Sequence, residues 1–152
     1  MKKSLMRGIL IGAAVLSCPI QVEAHERQCP KSIEIDYEDA QELMQIAWCE
    51  AGNQGIEGQR YVISVILNRV NDESDTWPDT IHEVIHQEGQ FATAGMTKAK
   101  ITPETHYALA EIEMGNVVPE IVAFERKESS SLCVYFDAAF DYRDHTFYTV
   151  KH

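Results

Sequence analysis

Leu43-Met44-Gln45-Ile46-Ala47-Trp48-Cys49-Glu50-Ala51-Gly52 is the stretch that decides how this chain folds. Leu43, Ile46 and Ala47 stand at i, i+3 and i+4, and i+7 is Glu50, so all four share one helix face. Asp36 is placed to cap the start, with Glu38 and Asp39 in a first turn where the helix dipole favours acids. Gly52 is the expected stop. An acid that continues an apolar row points to the edge of a core rather than into open water. A carboxylic acid sheltered in this way suits a general acid, which must carry a proton to a leaving-group oxygen. The plain alternative is a surface glutamate at a frayed helix end, and spacing alone leaves both readings open.

Working outward, Val62, Ile63, Ile66, Leu67 and Val70 form a second apolar stripe, predicting a helix over about 57–70. Residues 71–79 are acidic and polar, closed by Trp77-Pro78. Thr80 to Gln87 predicts a short helix with Ile81, Val84 and Ile85 inward, and Gly89 to Met96 a loop. Thr102 caps a further helix, with Pro103 at its first position and Gly115 just past its end. After Pro119 the texture becomes β-branched and aromatic. Ile121–Phe124, Leu132–Phe136 and Thr146–Val150 are the expected strands. The fold class is α+β: a small helix-rich domain with a minor C-terminal sheet.

A chain of 152 residues makes one domain. Lys2, Lys3 and Arg7, the apolar run Gly8–Ser17 and the small-residue end Val22-Glu23-Ala24 make residues 1–24 a secretory signal peptide, too short in its apolar part to span a bilayer. Pro19 directly after Cys18 counts against acylation of that cysteine as a lipoprotein. Residues 25–36 are an extended lead-in and 37–152 the catalytic domain. Losing the leader removes three cations and Glu23, taking the formal net charge from −11 to −13. Bulk charge of this sign attracts neither nucleic acid nor anionic lipid. Cys29, Cys49 and Cys133 remain, an odd number that permits one disulfide and leaves a thiol over.

His82-Glu83-Val84-Ile85-His86 matches the H-E-x-x-H pattern, in which two histidines one helical turn apart grip zinc and the glutamate activates its water. Position 92, where a longer version of the pattern places a third histidine, is Ala92; Glu111 or Glu113 would have to serve as third ligand. The helix is brief and no strong strand precedes it.

Several pieces in order resemble the SleB/CwlJ-type cell wall hydrolases. They are Ala47-Trp48-Cys49-Glu50-Ala51, Ile56-Glu57-Gly58-Gln59, Val65-Ile66-Leu67-Asn68-Arg69-Val70, Trp77-Pro78-Asp79-Thr80-Ile81, Val84-Ile85-His86-Gln87, Gly89-Gln90-Phe91-Ala92 and His145-Thr146-Phe147-Tyr148. The resemblance implies a lysozyme-like fold that cuts peptidoglycan glycan strands between N-acetylmuramic acid (MurNAc) and N-acetylglucosamine (GlcNAc), as a muramidase or a lytic transglycosylase. The family's catalytic glutamate falls on Glu50, and the H-E-x-x-H match falls where the family has no such motif. The departures are Gln54 for the family's second acid, Ala92 for a serine, and the texture of residues 121–128.

Gln90, Phe91, His145 and Tyr148 are the expected substrate-binding residues, the two aromatics offering flat faces to sugar rings. Glu57 is the possible second carboxylate that a hydrolytic mechanism would use. Asn68 is expected to make a structural hydrogen bond. No cofactor and no metal are called for. The expected partner is the glycan strand, met outside the cytoplasm by a monomeric protein with no nucleic acid and no stable membrane insertion. Two other classes stay open: a zinc peptidase built on His82 and His86, and a peptidoglycan-binding module without catalysis.

Overall fold

Helix α1 spans Tyr37–Ala51 in the computed structural model, which describes residues 34–151. The leader 1–24, Cys18, Cys29 and most of the lead-in lie outside the described residues. Asp36 caps α1 as its side chain predicts, accepting the Asp39 N–H at 2.9 Å. Leu43, Met44, Ile46, Ala47 and Ala51 are buried, each large aliphatic among them stabilising the fold by roughly 1.5–3 kcal/mol. Glu50, next on the row, is only half-buried. Gly52 does not turn the chain: it stays right-handed at φ −59°, and its N–H bonds Trp48 O at 2.9 Å. The turn comes at Gly55, with φ +74°, a conformation that glycine adopts without steric cost.

Helix α2 therefore starts two residues earlier than its apolar stripe suggests and runs Gly55–Val70. It is the central element. Val62, Ile63, Val65 and Ile66 are fully buried because helices cover one side of α2 and a sheet covers the other. Gly58 sits where any Cβ would collide with the Gln54 side chain and press on Tyr142. Helix α3 spans Ile81–His86, capped by Thr80. A 3-10 turn over Thr93–Lys98 follows, inside the expected loop. Helix α4 spans Pro103–Glu113, opened by a reciprocal Thr102–Thr105 capping box.

The sheet has strands β1 (Ile121–Arg126), β2 (Phe136–Tyr142) and β3 (His145–Val150), antiparallel in the order β1-β3-β2. The middle strand of the sequence reading is displaced. Leu132–Val134 is a 3-10 turn, and the strand begins where that run was expected to end. What makes β2 a strand is its hairpin with β3, closed at the Tyr142–His145 pair by Arg143 at φ +47° and Asp144. Arg-Asp is not a residue pair that announces a two-residue hairpin. The second core is aromatic. Tyr61 meets Phe140, Tyr142 and Phe147 edge-on at 5.1–5.3 Å, the arrangement that ring quadrupoles favour.

Polar ties fix the sheet to α2. Asn68 Nδ2 donates to Val118 O and Ile121 O at 2.9 and 2.8 Å, the structural role expected of it. Arg69, 4 % exposed, donates from Nε to Val122 O at 2.6 Å, and its guanidinium lies 4.1 Å from the centre of the Trp77 ring. Among the described residues Cys49 and Cys133 form no disulfide.

Candidate active site

Glu50 stands at the end of α1 on the wall of a groove of about 610 Å³. The helical side of the groove supplies Cys49, Glu50, Asn53, Gln54, Gln90 and Ala92; the sheet side supplies Phe124, Glu125, Arg126, Glu128, Asp144 and His145. Glu50 Oε1 accepts the Ala92 N–H at 2.7 Å. Among the described residues nothing bonds Oε2. One carboxyl oxygen is thus held in place and the other is left for a proton or a ligand.

Two other acids of the groove, half-buried Glu125 and exposed Asp144, have partners of their own. Glu125 accepts from Ser131 N and Oγ, Leu132 N and the Tyr148 hydroxyl, between 2.7 and 3.2 Å. Burial pushes its carboxyl up, but these hydrogen bonds outweigh burial and hold it below the usual glutamate range. Asp144 Oδ2 accepts from Gln54 Nε2 at 3.0 Å, and Asp144 N–H donates back to Gln54 Oε1 at 3.3 Å. Gln54 is buried and opens α2 without capping it, because its amide is spent on Asn53 and Asp144. An acid at position 54 would face Asp144 with like charge; the amide turns that repulsion into a two-bond tie.

The sequence-predicted residues divide. Gln90 lines the groove, its Oε1 held by Arg69 Nη1 at 3.2 Å. His145 lines it too, 7 % exposed, with Nδ1 unpartnered; burial holds the imidazole below the ordinary histidine range. Phe91 does not reach this groove. It packs into the core beside Phe124, with Arg69 5.1 Å from its ring centre. Tyr148 is also no sugar platform. It is 3 % exposed and donates its hydroxyl to Glu125 from beneath, its own ionisation pushed up to about 12 by burial and then by Glu125. Glu57 lies elsewhere, on a separate hollow with Arg60 and Glu111, and Arg60 Nη2 at 2.6 Å holds its carboxyl low. An ion pair to the residue one turn on explains both its place and its charge.

Phe124, Glu125 and Asp144 were missed by sequence reasoning. Phe124 looks like any strand aromatic, and Glu125 gains its meaning only from Tyr148, twenty-three residues away. Phe124, Glu125 and Gln90 also border a second hollow of about 520 Å³, lined further by Arg69, Trp77, Leu132, Tyr135 and Phe136. The two hollows lie side by side and share these three lining residues.

The zinc-protease pattern is not assembled. Glu83 Oε2 accepts the hydroxyl of its own cap, Thr80, at 2.8 Å. Glu111 accepts from Asn116 at 2.6 Å and lines the hollow that holds Glu57. The acid that meets the two histidines is Glu42.

A family model described as Cell Wall Hydrolase matches residues 53–150, nearly two thirds of the chain. The chain belongs to the cell wall hydrolase family. The match opens three residues after Glu50, which lies outside it. No curated protein matches this cell wall hydrolase. Among solved structures it is similar to the catalytic domain of the germination-specific lytic transglycosylase SleB from Bacillus anthracis, at 21 % identity and TM-score 0.61, covering 75 % of this chain and 96 % of that one. It is likewise similar to the catalytic domain of the Bacillus cereus SleB protein, at 20 % identity and TM-score 0.63, covering 82 % and 99 %. These likenesses establish the helix-rich fold with its small antiparallel sheet. Among the described residues no helix is long and apolar enough to cross a membrane.

Proposed function

We propose that this cell wall hydrolase cuts the glycan strand of peptidoglycan at the MurNAc–GlcNAc linkage, with Glu50 as general acid and then base. One observation carries the assignment. Of the half-buried acids on the cleft, Glu50 alone keeps a carboxyl oxygen free while the other is anchored, by the Ala92 amide. Glu50 protonates the glycosidic oxygen, and positive charge develops on the sugar. Glu125, kept ionised by its four donors, and Asp144 supply a negative field on the facing wall. Glu50, now a carboxylate, then removes a proton from the attacking hydroxyl.

That hydroxyl is the C6–OH of the same MurNAc, giving a 1,6-anhydro end. This transglycosylase reading is supported by the absence of Glu57 from the groove and by the engagement of both Glu125 oxygens, which leaves no second half-buried carboxylate free to activate water, Asp144 and Glu128 being exposed. The printed name of the Bacillus anthracis relative points the same way. Phe124, Trp77 and Tyr135 are the aromatic faces along which the strand lies, with Gln90 and His145 as polar contacts. The protein acts as an exported monomer, with residues 1–24 as its leader.

The test digests purified sacculi with wild type and with Glu50→Gln and reads the muropeptides by mass spectrometry. Anhydro-muropeptides from wild type alone are expected. Reducing MurNAc ends would replace transglycosylation by hydrolysis, and equal release by Glu50→Gln would remove Glu50 from the mechanism.

A further inference from the structure

The H-E-x-x-H stretch that the glycan chemistry leaves unused has a geometry of its own. His82 and His86 lie one turn apart on α3, their ring centres 4.4 Å apart. Both rings turn a nitrogen toward α1 and meet Glu42. His82 Nδ1 is 3.0 Å from each Glu42 carboxylate oxygen, and His86 Nε2 is 3.4 Å from Oε1. The three ligand atoms lie within 4.8 Å of one another.

We propose that Glu42, His82 and His86 bind a divalent transition-metal ion of the zinc type, which staples α3 to α1. Zinc bonds of about 2.0–2.2 Å to nitrogen and oxygen set tetrahedral ligands roughly 3.3–3.4 Å apart, close to the 3.0 and 3.4 Å seen here. Hydrogen bonds give these distances where His82 carries a proton on Nδ1 and His86 on Nε2, as different neutral tautomers or as cations, both spent on one carboxylate. An ion takes the place of both protons. Two imidazoles and a single carboxylate suit zinc rather than calcium or magnesium, which want mostly oxygen. His82 is 65 % exposed at its side chain, leaving room for water in the fourth position.

The ion has a structural role, not a hydrolytic one. The water-activating residue of the protease pattern would be Glu83, and its carboxylate is turned back onto Thr80. The consequence runs through the chain instead. Helix α1 carries Glu42 and, two turns on, Glu50; α3 leads through Gln87 and Gln90 to Ala92, whose amide holds Glu50. Metal at one end and the amide at the other bind the same two segments together twice.

The experiment titrates zinc chloride into the full chain, stripped with EDTA, by calorimetry at pH 7.5. One ion per chain is expected, with a dissociation constant on the order of 1 μM. Glu42→Gln and His86→Ala should each weaken binding by about 10-fold or more, and the double variant His82→Ala/His86→Ala should abolish it with an unchanged circular dichroism spectrum. Zinc should raise Tm in wild type and not in the double variant, while calcium chloride should give no heat. Absent saturable binding, unchanged affinity in the double variant, or equal binding of calcium would each overturn the site. None of these outcomes depends on the glycan chemistry.

Discussion

The backbone amide of Ala92 points at Glu50 Oε1 across 2.7 Å, joining the end of α1 to a loop forty-two residues later. A hydrogen bond to a charged group contributes about 1.5–3 kcal/mol. Ala92 has φ −79°, which a proline ring accepts, while proline has no N–H to give. Ala92→Pro should therefore lower kcat on sacculi about 10- to 100-fold and lower Tm by several degrees, the loss expected of that one bond. Glu50→Gln should cost more, about 100- to 10,000-fold, the usual contribution of a positioned acid–base group. Muropeptide release under saturating substrate measures both.

Glu57 offers the opposite case. It pairs with Arg60 away from the cleft, about half exposed. Glu57→Gln should leave muropeptide release within about twofold of wild type and stability within about 1 kcal/mol. A loss comparable to that of Glu50→Gln would return Glu57 to the chemistry.

Gln54 and Asp144 exchange two hydrogen bonds between the start of α2 and the β2–β3 hairpin. Gln54→Glu removes the Nε2 donor to Asp144 Oδ2 and sets two carboxylates together. At pH 7 the variant should be less stable by about 1–3 kcal/mol in urea unfolding. The gap should narrow toward pH 4, where one carboxyl of the pair takes up a proton.

His145 is a base whose folded form resists protonation, because burial disfavours the cation, with Asp144 opposing and Arg126 assisting. The unfolded chain then binds the proton more readily than the folded one. Stability is therefore full above the unfolded value near 6.5 and falls as pH drops through it, levelling off below the folded value. His145→Gln should flatten that part of the Tm profile between pH 7.5 and 5. A fall in Tm as steep as that of wild type would mean another group is responsible.

How much of this could be read from residues alone depended on how local the cause was. The caps at Asp36 and Thr102 are decided within three or four residues, and both stand where the sequence places them. Glu50's position on the apolar row was legible for the same reason. The start of α2 was set by Gly55, whose turn the apolar stripe cannot register. Strand β2 depends on β3 for its existence, so its own composition misplaces it. In the cleft, Gln90 and His145 were legible through the family resemblance. Phe91 and Tyr148 were mistaken for surface faces because an aromatic side chain does not declare which side of a wall it occupies. Glu125 was invisible, its role made by Tyr148 and by a turn at Ser131.

The walls of the cleft belong to different layers, Glu50 and Ala92 to the helices, Glu125 and His145 to the sheet. The Gln54–Asp144 bonds, the Asn68 amide and the Arg69 guanidinium all cross between those layers. The jaws are therefore bolted at a fixed gape. With the two walls tied in this way, fitting the polymer to the cleft would fall to the polymer rather than to a closing of the walls.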